Sequence, residues 1–471
     1  MVQFKKEEQE KTSFRDQLAT IDEKGKRLWV YAKQSKGKFT SARNLAGIIL
    51  LAIFFATPFI TINGEPLLLL NFIERKIVIF GVQFWPQDFH LFFLAMISMI
   101  VFIILFTVTY GRIWCGWACP QTVFMEVVFR RIEYWIEGSQ HAQKKLNEQA
   151  WNANKIIRKG IKHAIFYLIS FTVSNFFLMY IIGVDAWKDI VTGDARDHII
   201  GLAGMLAFST VFYFIFSWFR EQVCTIVCPY GRLQGVLLDR NSIVISYDYE
   251  RGDPKGTFHK NEDRSALGLG DCINCQQCVQ VCPTGIDIRN GTQLECINCA
   301  CCIDACNSQM KAIGMKPGLI RYASEKMIAE REKFKFSIRT IAYTAVLVVL
   351  LGIVNYSLLS RSDIEATVMR AAGSLYQEQT DNRISNLYNI KLINKTNYDL
   401  PVELKLLSQD GEIQIIGESI LVPGQSIGES VFFIYLNNAD VTSHKLDIEV
   451  GIYSEGILID TAKATFIGPE K

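Results

Sequence analysis

Eight of the thirteen cysteines fall into two matched rows, Cys272-x-x-Cys275-x-x-Cys278-x-x-x-Cys282-Pro283 and Cys296-x-x-Cys299-x-x-Cys302-x-x-x-Cys306-Asn307. Three closely spaced thiolates wrap one part of a cubane cluster, and the fourth, beyond the loop, points the other way to the partner cluster. The spacing therefore predicts two [4Fe–4S] clusters, the first on Cys272, Cys275, Cys278 and Cys306, the second on Cys296, Cys299, Cys302 and Cys282. Zinc sites use two cysteine pairs, not two rows of four. Metal binding supplies folding energy that a small core lacks, which suits a segment of 240–335 rich in Gly, Asp and Cys. Pro283 turns the chain away after its ligand, and Asn307 stands at the matching place in the second row. Cys301 is not required as a ligand and reads as a buried apolar filler. Residues 311–335 read as helical.

The same chain carries five uncharged runs, about 44–62, 89–110, 164–184, 199–219 and 340–359. Each has about 20 residues, the length that spans roughly 30 Å of hydrocarbon. Half of the residues are hydrophobic, and the mean hydropathy of +0.18 is high for a soluble protein. A net charge of +2 says nothing about partners, and no nucleic acid is expected. Membrane lipid is.

Residues 1–43 hold eleven Lys and Arg, loop 63–88 only Arg75 and Lys76, loop 111–161 eight basic residues, and loop 185–198 only Lys188 and Arg196. By the positive-inside rule this alternation predicts an uncleaved first span and an N-terminus in the cytoplasm. An odd number of spans then places 240–335 in the cytoplasm and 361–471 in the periplasm of a bacterial inner membrane. All thirteen cysteines fall between 115 and 306, on or beside the expected cytoplasmic segments, where thiols stay reduced and disulfides are disfavoured. Loop 63–88 reads as a short hairpin resting on the outer membrane surface, with Trp85 in the interfacial belt.

Span 2 ends in Gly111-Arg112-Ile113-Trp114-Cys115-Gly116-Trp117-Ala118-Cys119-Pro120, and span 4 in Arg220-Glu221-Gln222-Val223-Cys224-Thr225-Ile226-Val227-Cys228-Pro229. Spans 1–2 and 3–4 thus read as two parallel hairpins, the arrangement of parallel-repeat membrane proteins. Cysteines at i and i+4 share a helix face, and the following proline loosens the helix. Four thiols from two such pairs suit Cu(I) or an iron–sulfur centre, or cycle as redox thiols; as plain small residues they would pack helices closely. Arg112, Arg220 and Arg232 read as membrane-surface anchors, or as cations that lower thiol pKa values or hold an anion. His90, His198, Met96 and Met99, near or on the outer halves of spans 2 and 4, are weaker candidates for metal entry and are more simply packing residues.

Strand-like runs at 385–393, 402–407, 413–415, 430–435, 446–452 and 457–466 are separated by Asp410-Gly411, Pro423-Gly424 and Glu455-Gly456. About seven short strands in roughly 100 residues predict an immunoglobulin-like sandwich. The chain therefore reads as a multi-domain membrane protein. It has a cytoplasmic segment 1–43, spans 1–4 within 44–239, a ferredoxin-like insert 240–335, span 5 within 336–360, and an all-β domain 361–471.

Five spans, paired Cys-x-x-x-Cys-Pro ends, the two-row insert and the C-terminal sandwich together resemble the FixG/CcoG/RdxA family, cytochrome c oxidase accessory proteins. The run Arg383-Ile-Ser-Asn-Leu-Tyr-Asn-Ile-Lys391-Leu-Ile-Asn-Lys395 is similar to the opening of that family's C-terminal domain. The resemblance implies reduction of Cu(II) to Cu(I) in assembly of a cbb-type oxidase, with copper, oxidase subunits or copper chaperones, and an electron donor of unknown identity as partners. The membrane thiol pairs also resemble quinol-side proteins of nitrate and nitrous-oxide respiration. Two other functions follow from the same parts: a quinol-linked electron-transfer subunit without copper chemistry, and an assembly scaffold with structural clusters.

Overall fold

The computed structural model describes residues 19–469 apart from positions 23, 25, 63, 73–75, 85–87, 195, 197, 261, 262, 265, 334, 361, 363, 372, 374, 380, 381, 397 and 418. Trp85 and the Glu74-Arg75 turn lie outside the described residues. The chain divides into two compact units, one holding most of the apolar helices and the cysteine rows, the other centred on residues 353–471.

In the first unit, α1 (Lys38–Ala56), α2 (Phe89–Tyr110), α3 (Arg130–Ile136), α4 (Ala153–Ile182), α5 (Ile199–Phe214), α6 (Cys301–Ala312) and α7 (Ile338–Leu359) are the main helices. Helices α1, α2, α4, α5 and α7 are long and apolar enough to cross a membrane, and at most 33% of any one of their apolar windows is buried by protein. Such outward apolar surface is stable only in lipid. Between α1 and α2, β1 (Leu68–Asn71) and β2 (Lys76–Ile79) form the expected hairpin.

Helix α4 starts eleven residues before the uncharged run because the Asn152 side chain caps it, accepting from the Lys155 N–H at 2.8 Å. Its early charges are neutralised within the protein, Lys159 and Lys162 pairing with Glu137 at 2.9 and 3.0 Å. Helix packing centres on Phe129, whose ring stacks on Phe216 at 4.7 Å and meets Phe166 edge-on at 4.8 Å.

The cysteine-row region is closed by β3 (Val244–Tyr247) paired antiparallel with β4 (Ile320–Ala323). The expected helix over 311–335 is not formed as one element; only residues 311–312, at the end of α6, and Glu325–Ala329 are helical. Gly314 and Gly318 take positive φ on either side of Pro317, so α6 stops at Ala312 and the chain leaves as β4.

The second unit contains β5 (Ile364–Arg370), β6 (Arg383–Asn394), β7 (Leu400–Leu406), β8 (Gly411–Ile416), β9 (Ile420–Val422), β10 (Ile427–Asn437), β11 (Lys445–Ser454) and β12 (Ile457–Ile467). Two sheets, ordered β8-β10-β6-β5 and β9-β7-β11-β12, form an immunoglobulin-like sandwich. Tyr388, Phe432, Ile434, Ile448, Ile452 and Phe466 are fully buried in it. The buried Tyr388 hydroxyl is satisfied by donating to the Thr465 carbonyl at 3.0 Å. Strands β5 and β9 add to the six runs visible in the sequence; β9 has only three residues, too few to show alternation.

Candidate metal centres

Both cysteine rows wind the same way. Asn274 and Gln276 flank Cys275 with φ of 53° and 54°, and Asn298 and Ala300 flank Cys299 with φ of 54° and 63°. Two left-handed residues around the middle thiol turn a tripeptide spacing into a closed loop; Asn accepts that conformation more readily than Gln or Ala. The repeat is therefore conformational as well as compositional.

The loops enclose two cavities. Cys272, Cys275, Cys278 and Cys306 line one of about 380 Å³, walled by Tyr247, Met310, Leu319 and Ile320. Cys282, Cys296, Cys299 and Cys302 line the other, about 330 Å³, with Cys301, Ile245 and Ile288. The structure thus brings together each trio with the crossing fourth cysteine of the other row. Burial pushes the Cys278 thiol up to about 12, and likewise Cys296 and Cys306. Thiolates in such apolar walls need a cationic partner, and four of them around a cavity are the donor set of an iron–sulfur cube. Cys299 stands apart: a hydrogen bond from Cys301 outweighs burial and lowers it, while Cys301 is raised in turn.

The Cys-x-x-x-Cys-Pro segments do not continue their spans as helices. Gly111 and Arg220, at the same place in the repeat, have φ of 57° and 51° and break the chain direction. Cys119 and Cys228 are extended (ψ 126° and 112°) because each precedes a proline, which disfavours the helical region. The first cysteine of each pair lies on a short helical turn, Ile113–Trp117 or Val223–Val227, and the second closes that turn, so the i, i+4 relation holds over one turn and not along a continued span. Even so, Cys115, Cys119, Cys224 and Cys228 all lie close enough to feel one another's charge. Burial raises Cys115 to about 11, opposed by Arg112, and raises Cys224 to about 12. The Cys115 thiol donates to Gln234 Oε1 at 3.6 Å.

This quartet adjoins the second row. A Cβ on Gly116 would overlap the Ile297 carbonyl and lie 2.9 Å from Cys299 Cα, so the loop packs directly on that row's backbone. Trp117 Nε1 donates to the Tyr322 hydroxyl at 3.1 Å, which donates to the Asn298 carbonyl at 2.9 Å. Arg112 donates to the Leu294 carbonyl.

Sequence reasoning missed a buried ion network behind these sites. Arg220, 2% exposed, pairs bidentately with Glu133 at 2.7 and 2.9 Å, so it is no surface anchor. Burial alone would raise the Glu133 carboxyl, but Arg220 and then Lys162 outweigh it and hold it below the usual range. Arg130 pairs with Glu126 at 2.8 Å, and Glu221 lies within ion-pair distance of Arg27, Arg130 and Arg220. The spacing of Glu126, Arg130, Glu133 and Glu137 is a single helical stripe, and that pattern was the available signal. Arg232 is exposed.

Met96 and Met99 are 44% and 57% exposed on the apolar surface of α2, and His198 is the residue preceding α5. Among the described residues no group of three His, Cys, Asp or Glu is drawn tightly enough to chelate a single ion, which holds for Cys115, Cys119, Cys224 and Cys228 as it does for His90 and His198.

Three family models match the chain. One described as a 4Fe-4S dicluster domain covers 219–325, one described as a 4Fe-4S binding domain covers 91–142, and one described as the IG-like fold at the C-terminal of FixG covers 354–469. The chain is 35% identical to protein RdxB of Cereibacter sphaeroides over 387 residues, 79% of this chain and 80% of the relative. It is 34% identical to RdxA of the same organism over 395 residues, 79% and 80% of the two chains. Nitrogen fixation protein FixG of Rhizobium meliloti is 32% identical over 409 residues, 78% and 77% of the two chains.

Proposed function

The chain belongs to the family of RdxA, RdxB and FixG and is a multi-pass membrane iron–sulfur redox protein, and from that premise we propose that it reduces Cu(II) to Cu(I) in the assembly of a cbb-type cytochrome c oxidase. Cu(II) is the substrate; it takes up one electron and leaves as Cu(I). The clusters, when bound, supply single electrons. The eight row cysteines hold them: Cys272, Cys275, Cys278 and Cys306 on one side, Cys282, Cys296, Cys299 and Cys302 on the other.

The chain's own residues prepare the copper end. Cys115, Cys119, Cys224 and Cys228 offer soft thiolates, two of which would suffice for Cu(I) and would disfavour Cu(II), so binding itself assists reduction. Arg112, beside Cys115, offsets part of the cost of ionising a buried thiol. Gln234, itself fully buried, orients the Cys115 thiol. The single observation that carries the reading is the packing of Gly116 on the Cys299 backbone, which sets the quartet against the second row. The positive-inside pattern orients the rows to the cytoplasm and the sandwich to the periplasm, where it would meet oxidase subunits or copper chaperones.

The test is Cu(I) formation from Cu(II) by purified, chemically reduced protein, read with a Cu(I)-specific chelator. Wild type produces Cu(I), and a Cys115→Ser/Cys224→Ser variant with full iron content does not. Equal Cu(I) production by both sinks the copper role of the quartet.

A further inference from the structure

The two cavities differ in how their neighbouring cations are directed. Arg43, on the second turn of α1, is 5% exposed, and its Nη1 donates to Cys301 Sγ at 3.4 Å. Cys301 lines the second cavity beside Cys302, so a buried guanidinium stands directly behind that wall. Its placement is fixed from α6. The Asp304 carboxylate accepts from the Phe39 N–H at 3.3 Å, the Thr40 N–H at 2.7 Å and the Thr40 hydroxyl at 2.8 Å. The Ser35 hydroxyl donates to the Cys301 carbonyl at 3.3 Å. Gly37 has no Cβ, and one there would overlap the Asp304 side chain.

The first cavity has cations too, but they are directed at other groups: the buried Arg264 donates to the Thr257, Gly270 and Cys272 carbonyls at 3.1, 2.7 and 3.2 Å and not to a thiol. Arg289 is held by Asp287 through Nη2 at 2.6 Å and Nε at 2.8 Å. Arg43 instead reaches Glu126 at 3.4 Å, and Arg130 holds that carboxylate more closely at 2.8 Å. Glu126 opens a continuous set of ion pairs in which Arg27, Arg43, Arg130, Lys159, Lys162 and Arg220 face Glu126, Glu133, Glu137 and Glu221. With the buried Asp304 carboxylate counted beside these four, the six cations still leave one net positive charge in a water-poor region beside the second cavity. A cube held by four thiolates is anionic when oxidised and gains a further negative charge on reduction. Nearby positive charge and hydrogen bonds toward its sulfurs favour the reduced form, most strongly where the dielectric is low.

We infer that Arg43, acting through Cys301, is a positioning residue that holds the second row's centre at a higher reduction potential than the first row's. Electrons then run downhill from the Cys272 row to the Cys296 row, the row whose backbone meets the Cys115 loop. This rests on reading both rows as cluster ligands.

The experiment is a redox titration of the purified full chain followed by electron paramagnetic resonance, on wild type, Arg43→Gln, Arg43→Lys, Cys301→Ala and Arg289→Gln. Wild type gives two transitions. Arg43→Gln moves the upper one negative and leaves the lower in place, Arg43→Lys keeps most of the separation, and Cys301→Ala moves the upper one the same way by less. Arg289→Gln moves only the lower, which assigns it to the first row. The inference is overturned if Arg43→Gln moves neither transition or both equally, or if Arg289→Gln moves the upper one. Should Arg43→Gln not fold, an upper transition unmoved in Cys301→Ala overturns it instead. Failure of the cluster reading shows separately, as iron short of two full cubes in the wild-type chain.

Discussion

The two cysteine rows share a spacing and a backbone twist but not a setting. The Cys272 row is braced mainly by its own neighbourhood, through partly exposed pairs such as Arg251–Asp271 and Arg289–Asp287, with one distant tie from Lys33, which donates to the Gln280 carbonyl at 2.7 Å and to Gln277 at 2.9 Å. The Cys296 row is braced by segments from elsewhere in the chain: Ser35 to Arg43, Gly116 and Trp117, and the ion network running to Lys162. The difference teaches that local spacing chooses the ligands, whereas long-range packing decides what each centre is connected to. The Cys296 row carries most of the long-range packing, including the contact with the Cys115 loop.

The contrast is broken most severely by removing a ligand. Cys275→Ser and Cys299→Ser should each lose about half of the bound iron, since each unmakes one four-iron centre. With a small chemical reductant that can enter at either row, Cys275→Ser should retain Cu(II) reduction and Cys299→Ser should lose it. Equal loss in both would erase the asymmetry.

A smaller effect comes from the ion pairs. Glu133→Ala leaves Arg220 buried without its bidentate partner and should cost about 3–5 kcal/mol in chemical denaturation of the detergent-solubilised protein. Asp287→Ala, in the first row's partly exposed pair, should cost about 1 kcal/mol. Comparable losses would mean that the second row is no more deeply braced than the first.

Gly116→Ala should cost about 1–3 kcal/mol, because the new methyl must displace the Ile297–Cys299 backbone. Gly352→Ala on α7, which meets nothing within 4 Å, should be neutral or slightly stabilising in the same assay.

The smallest effect is in pH. Glu133 is held below its ordinary value, so its contribution to stability is complete above about pH 4.5, the unfolded value, and is lost as pH falls through the folded value. Thermal unfolding of wild type should therefore fall more steeply below that pH than that of Glu133→Gln, which lacks the titrating group. Parallel curves would remove Glu133 from the bracing of the second row.

Much of this was legible in the residues. Cysteine spacing identified the two rows, and uncharged length located the five spans, α2 to the residue. What escaped were features set by distant partners. Arg43 reads as the last charge of a polar tail, because nothing local says that Cys301 waits for it. Lys159 reads as a loop charge until Glu137 neutralises it inside a longer helix. Arg220 takes a left-handed backbone where its repeat partner is Gly111, a conformation that a sequence rule assigns to glycine. The expected helix over 311–335 is interrupted by Gly314, Pro317 and Gly318, local breakers that stand in the sequence itself. In the sandwich, alternation found the long strands and missed β9, whose three residues are placed by pairing with β7.

The wiring of the second row to the membrane thiols is tested most directly by stopped-flow re-oxidation. The fully loaded chain is reduced, mixed with Cu(II) and followed by its iron–sulfur absorbance, as wild type and as Cys115→Ser/Cys228→Ser. Rapid re-oxidation of wild type and slow re-oxidation of the variant, at equal iron content, is the expected result. Equal rates in the two proteins would contradict it and place the exit of electrons elsewhere on the chain.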